Sequence, residues 1–426
     1  MRQSIGNFLL RRLKEAGVKH LFGVPGDYNL ELMQQLEELG DPAWIGNCNE
    51  LNGSYATDAY ARINGLGAMV VTHGVGALSA INGIAGAYAE HVPVILISGS
   101  LPLRAVQQGA LMHHTLCDRE KGNFCRMFAE VTAAQAQLTP ENAAAEIDRL
   151  ILTAWRRKLP VFLELPSDIS YLEIEVPERL LELEMIPSDR ENLKACAEMI
   201  LERLKAARSP AFLLDLDAIR FGVSGPIMEL AQRFQIRVAT LNCAKGAVPE
   251  SSPHFVGTYA GIASAPATRE AIEGSDCLLT VGYRRVESTT GFFTDKLPAS
   301  VIHLNANCVD AAEKNYQGVY LAELLRSVVD SSSSVVAKKQ QARASKELSF
   351  VPSDDPLTQV AYWKAIQKFV RPGDVIVVED GTSSAGFGRL TLPDDSTYIT
   401  GAFVWCSIGY ATGALLGAIL ATPGRR

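Results

Sequence analysis

From Leu66 to Ser98 the chain reads LGAMVVTHGVGALSAINGIAGAYAEHVPVILIS, and this stretch decides the fold. Ala68–Thr72 and Val94–Ser98 are short apolar runs of strand length, and Leu78–Glu90 between them carries a helical pattern. Strand, helix and strand at this spacing make a parallel βαβ unit. The near-continuous apolar run Pro93–Ile97 belongs to a sheet covered on both faces.

The same alternation extends outward. Helices are expected near Ser4–Ala16, Leu30–Leu39, Leu51–Ala61 and Glu141–Arg156, and strands near His20–Val24, Trp44–Gly46 and Val161–Leu165. Acidic Glu173–Arg190, with two prolines, reads as a linker. A second α/β unit follows, with strands near Ala211–Leu216, Arg237–Thr240, Cys277–Val281 and Val301–Leu304. Ser331–Ser353 reads as a second linker holding a solvated helix. A third unit opens with a helix at Thr358–Phe369 and a strand at Asp374–Val378, too little to bury a sheet of its own. The expected fold class is therefore α/β: three doubly wound parallel-sheet domains, the third incomplete. A length of 426 residues accommodates roughly three domains of ~150 residues.

Composition excludes several classes. Apolar residues make up 47% and charged residues 20%, which is ordinary for a globular protein. A net charge of −7 and no basic run longer than Arg156-Arg157-Lys158 argue against nucleic acid or anionic lipid as a partner. Eight cysteines show no zinc or disulfide spacing. Charges at Arg11, Arg12, Lys14 and Glu15 interrupt any signal-peptide core, so a cytoplasmic location is expected. Ala402–Ala421 carries no charge and repeats Gly409, Gly413 and Gly417. That pattern fits a membrane anchor, or a buried helix whose glycines admit a close neighbour; the second reading is preferred.

Four segments at strand ends collect the reactive side chains: Gly23–Asn29, Asn49–Asn52, Thr72–Gly76 and His113–Thr115. Strand ends are where open α/β sheets bind ligands, and Asp27, Glu50, His113 and His114 would bring proton-transfer groups to one cleft. Each has a structural explanation as well. Glu50 opens a helix and is favoured there by the dipole, and Asp27 could cap the helix beginning near Leu30. Adjacent histidines are not expected to present both rings to one metal ion. Gly74-x-Gly76-x-x-Ser79 nearly matches a dinucleotide fingerprint, but the next strand ends Ser98-Gly99-Ser100 where an acidic residue would hold the ribose.

At these residues the chain resembles the thiamine-diphosphate-dependent 2-oxo acid decarboxylases, which act on pyruvate, indolepyruvate, phenylpyruvate or branched-chain oxo acids. The likeness is densest in Phe22–Asn29 (FGVPGDYN), Glu50–Arg62 (ELNGSYATDAYAR), Gly83–Val94 (GIAGAYAEHVPV) and His113–Leu116 (HHTL). It implies a pyrimidine-binding domain over 1–172, a central domain over 190–330, and the N-terminal part of a diphosphate-binding domain over 354–426. The resemblance also implies a homodimer or homotetramer, thiamine diphosphate, and Mg²⁺. Glu50 matches the glutamate that hydrogen-bonds the cofactor's pyrimidine ring. Asp27, His113 and His114 match residues that position the substrate carboxylate and manage protonation. Cofactor contacts fall on Thr72, Gly74, Val75, Gly76, Asp380, Cys406 and Ile408, and Ser384 falls in the substrate pocket.

The chain departs from the pattern at His73 and Ala77, where relatives usually carry Phe and Glu, and at Cys406, where Gly is usual. No Gly-Asp-Gly motif occurs, so the family's Mg²⁺ ligands are expected beyond residue 426. The expected function is non-oxidative decarboxylation of an aromatic or branched 2-oxo acid to an aldehyde. This 426-residue form is expected to be a truncation with little or no activity. The alternative is a non-catalytic or regulatory relative of the same fold.

Overall fold

Ala68 and Val70 face one side of their strand, Met69 and Val71 the other, and both sides are buried in separate apolar clusters. That is why the Gly67–Val71 strand lacks a polar face. A computed structural model describes residues 1–120, 122–312, 314–333, 335 and 356–426. They group into two compact units, residues 1–185 with 407–424, and residues 186–406 with 425–426.

In the first unit six parallel strands lie in the order Ala43–Gly46, His20–Gly23, Gly67–Val71, Val94–Ser100, Val161–Pro166, Gln135–Gln137. Helices Ile5–Glu15, Leu30–Leu39 and Ala143–Arg157 cover one face through Leu9, Leu13, Leu36, Ile147 and Leu150. Helices Glu50–Asn64, Val75–Ala89 and Asn123–Ala129 cover the other through Ala56, Tyr60, Ala80, Ile84 and Phe128. Every strand and helix expected here is present. The polar edge strand Gln135–Gln137 and the antiparallel pair Arg2–Ser4 with Glu173–Glu175 were not expected. The latter occupies the start of the expected first linker; three-residue pairings carry no periodicity to read.

Glu164 lies on the same strand face as Phe162, whose ring stacks on Phe128 at 4.2 Å. It is 2% exposed, one carboxyl oxygen has no partner, and burial pushes its pKa up from 4.5 to about 7. Below the ordinary value of 4.5 the group is neutral in both folded and unfolded states. From there to about 7 only the unfolded chain ionises, so stability should fall with rising pH, by about 3 kcal/mol in total. Glu164→Gln should flatten that dependence and raise the melting temperature at pH ~8 relative to wild type. Calorimetry at several pH values checks this, and an unchanged slope would count against it.

In the second unit five parallel strands run in the order Phe255–Thr258, Arg237–Thr240, Pro210–Leu214, Cys277–Val281, Ile302–Leu304, continued by antiparallel Cys308–Asp310 and Asn315–Gln317. Helices Arg190–Ala206, Ser224–Phe234 and Leu321–Ser331 pack on one face. The expected second linker, Ser331–Ser353, lies almost wholly outside the described residues.

Residues 356–426 form no unit of their own. A separate two-stranded parallel sheet pairs Val375–Val378 with Thr397–Thr400. Buried Lys245 ties this segment to the second unit: its Nζ meets the Glu250 carboxylate at 2.9 Å and donates to the Leu390 carbonyl at 2.7 Å. Glu250 in turn accepts the Leu392 N–H.

No helix among the described residues is long and apolar enough to cross a membrane. The helical part of the uncharged run, Tyr410–Ala421, has 12 residues and lies against Glu50–Asn64. A Cβ at Gly417 would stand 1.9 Å from the Ala56 carbonyl oxygen, and one at Gly413 would stand 2.8 Å from that of Asn52. The glycines thus admit another helix.

Candidate active site

Asn49 accepts the Asn52 N–H at 2.9 Å and starts the helix Glu50–Asn64, placing Glu50 in its first turn. There the dipole favours a carboxylate. Glu50 is half-buried and has no hydrogen-bond or ion-pair partner among the described residues. A Cβ on Gly76 would stand 3.1 Å from Glu50 Oε1, so glycine leaves the carboxylate its room. Gly76 follows Val75, the exposed first residue of helix Val75–Ala89.

Glycines also bring the neighbouring loops together. Gly26 lies over Thr72, where a Cβ would come within 2.7 Å of the side chain. Gly74 has φ 58°, and a Cβ there would stand 2.0 Å from the His114 carbonyl oxygen. The loop after Gly67–Val71 can therefore pack on the backbone of the histidine pair.

That contact helps hold a cluster of four side chains. Asp27 Oδ2 lies 2.5 Å from His113 Nε2. The Tyr28 ring stacks on His113 at 4.9 Å, and its hydroxyl lies 3.2 Å from His113 Nδ1 while donating to the His113 carbonyl at 3.3 Å. Burial, then the charge on Asp27, holds the Tyr28 phenol above its usual pKa, so it stays a neutral hydroxyl. His114 has φ 62°, and its ring meets that of His113 edge-on at 4.5 Å. Adjacent histidines were not expected to present both rings to one ion, yet one nitrogen from each ring and a carboxylate oxygen of Asp27 all lie within 4.8 Å of one another.

His73 is buried against Phe124 and Tyr28, both edge-on. Burial, with His114 as a second cause, pulls its pKa down to about 4. It is therefore a neutral ring packed as an aromatic. Ala77 is fully buried in the apolar cluster on that face.

Asp380 and Ser384 belong to the second unit. Asp380 accepts the Gly381 N–H at 2.8 Å. Ser384 is buried, and its hydroxyl donates to the Gly381 carbonyl at 2.8 Å. Cys406 is exposed with φ 58°, a backbone conformation that favours glycine. Ile408 is 85% exposed.

Residues 3–120 match the family model described as thiamine pyrophosphate enzyme, N-terminal TPP binding domain, and residues 197–330 match the central domain of the same enzymes. Pyruvate decarboxylase isozyme 1 of Saccharomyces cerevisiae is 35% identical over 428 residues, covering 98% of this chain and 75% of the relative. The pyruvate decarboxylases of Candida glabrata and Aspergillus terreus are each 36% identical over 98% of this chain and 75% and 74% of their own lengths. The chain belongs to the thiamine-diphosphate-dependent 2-oxo acid decarboxylases.

As a member of this family it is a carboxy-lyase that turns a 2-oxo acid into an aldehyde with thiamine diphosphate, whose usual partner ion is Mg²⁺. The residues present fit a polar ring beside Glu50. The carboxylate is unpaired, Gly76 leaves space next to it, and Thr72 Oγ1, His73 Nδ1 and His114 Nδ1 are buried without partners. Sequence reasoning gave no role to Tyr28, although it stands beside Asp27; its contacts with His113 depend on a loop 85 residues away.

Proposed function

We propose that Glu50, Asp27, His113 and His114 carry this chain's decarboxylase chemistry. Thiamine diphosphate, when bound, supplies the electron sink for the electrons released with carbon dioxide. Glu50 would accept a hydrogen bond from the cofactor's pyrimidine ring, since its carboxylate is the unpaired one. Asp27 and His113 share a close contact suited to moving a proton, and Tyr28 orients the imidazole. His114, with a free ring nitrogen, would hold the substrate carboxylate or pass a proton to the product carbon. Thr72, Gly74, Val75, Gly76, Asp380, Cys406 and Ile408 are proposed as cofactor contacts. The Asp27–His113–Tyr28 arrangement carries this reading.

The proposed organisation keeps three regions, 1–172, 190–330 and 354–426, in a homodimer or homotetramer that uses Mg²⁺ with the cofactor. Eight cysteines, none of them in a disulfide among the described residues, favour a cytoplasmic location. The test is aldehyde release from pyruvate with thiamine diphosphate and Mg²⁺. It is run on this chain and on a form extended at its C-terminus to the length of the matched relatives. Absence of activity in the extended form would favour a non-catalytic role.

The finer proposal concerns substrate size. Pyruvate-specialised members typically carry a large aromatic residue where Ser384 stands, so the serine supports an aryl or branched substrate. Each Å² of apolar surface removed from water contributes roughly 25 cal/mol. In the extended enzyme kcat/KM for indolepyruvate or phenylpyruvate should exceed that for pyruvate, and Ser384→Trp should reverse the order. A wild-type preference for pyruvate would remove the volume argument.

A further inference from the structure

We infer that Asp27, His113 and His114 form a reversible site for a borderline-soft divalent cation such as Zn²⁺, which locks these side chains together. The binding claim stands on the cluster alone. Its inhibitory consequence rests on the proton-transfer role proposed above.

The geometry around His113 makes the case. The Tyr28 hydroxyl lies beside Nδ1 and the His113 carbonyl, so Nε2 is the ring nitrogen turned to Asp27 Oδ2. A divalent ion placed between Nε2 and Oδ2 would bond to both atoms, taking the place of any proton they share and releasing it to solvent. His114 supplies the third ligand, and its Nδ1 has no hydrogen-bond partner. Water completes a tetrahedral set.

Zinc–nitrogen and zinc–oxygen bonds of about 2.0–2.2 Å put ligand atoms roughly 3.3 Å apart. The Asp27–His113 contact must open and His114 must move inward. Side-chain rotation suffices, because Asp27 and His113 are 46% and 56% exposed. Tyr28 already makes the kind of outer-sphere contact that orients a ligating histidine. Two imidazoles and one carboxylate select Zn²⁺, Co²⁺, Ni²⁺ or Cu²⁺ over Mg²⁺ and Ca²⁺, which prefer oxygen. The site would therefore not compete for the family's usual ion.

Titration of the purified chain with Co²⁺, followed by visible absorption, tests this. One equivalent should give bands of a four- or five-coordinate ion without thiolate charge transfer, displaced by Zn²⁺ and not by Mg²⁺. Asp27→Asn and His114→Ala should each abolish the bands, and Tyr28→Phe should weaken binding by about 10–100-fold. No bands in the wild-type chain, or bands that survive in both ligand variants, would overturn the site. The surviving bands would place the ion on an exposed thiol such as Cys48, Cys117 or Cys406. In the extended enzyme, Zn²⁺ should inhibit over the range in which it displaces Co²⁺, with recovery on chelation. Binding without inhibition would leave the metal site standing and remove the proton-transfer role.

Discussion

Glu50→Gln should lower turnover of the extended enzyme by about 10²–10⁴-fold, the usual scale for losing a proton-transfer partner, with little loss of stability. The amide keeps the carboxylate's shape, so the approach of Gly76 to 3.1 Å is undisturbed. It lacks the charge and the second acceptor oxygen. Glu50 has no partner to lose among the described residues, and the Asn49 cap on the same helix remains. Only the dipole contribution disappears, roughly 0.3–1 kcal/mol. The measurements are steady-state kcat for aldehyde release and the melting temperature of the same preparation. An unchanged rate would return Glu50 to a helix-terminal role, and a large fall in melting temperature would make it structural.

Much of this was legible in the sequence, for identifiable reasons. Met69 and Val71 pack on one side while Ala68 and Val70 pack on the other, so the strand had to be apolar throughout. That made the βαβ unit readable without tertiary knowledge. The place of Glu50 in the first turn of its helix was readable too, because an acidic residue opening a helix after a strand end is a local pattern. What depended on distant residues was not. Gln135–Gln137 is a strand only because Val161–Pro166 lies beside it. Gly74-x-Gly76 nearly matches a dinucleotide fingerprint, but what its glycines do depends on distant residues: one meets the His114 backbone and the other the Glu50 carboxylate. The close approach of Asp27, His113 and His114 was not readable either, because His114 has left-handed backbone with φ 62°. No single-residue propensity signals that value.

Arg62→Leu should be the most destabilising substitution in the first unit, by about 3–5 kcal/mol, the range for removing one partner of a buried ion pair. Its guanidinium meets Asp58 Oδ1 at 2.6 Å and Glu90 Oε2 at 2.7 Å, and both carboxylates are almost fully buried. Asp58 also accepts the Tyr410 hydroxyl at 2.5 Å, and the Tyr410 ring lies under the guanidinium, 5.5 Å from centroid to Cζ. Leucine fills the volume but leaves two buried carboxylates without their cation, and that penalty exceeds the value of the pair itself. The three acceptors and donors belong to helices Glu50–Asn64 and Tyr410–Ala421 and to the C-cap of Val75–Ala89. The loss should therefore loosen the docking of the last helix before the sheet unfolds. Tyr410→Phe removes only one hydrogen bond to a charged group and should cost about 1.5–3 kcal/mol. Urea unfolding gives the two losses. Hydrogen exchange across residues 410–421 shows whether that helix opens first in Arg62→Leu. A loss no larger than that of Tyr410→Phe, or protection of 410–421 equal to wild type, would mean the apolar fit of Gly413 and Gly417 against the neighbouring helix holds the contact without the charges.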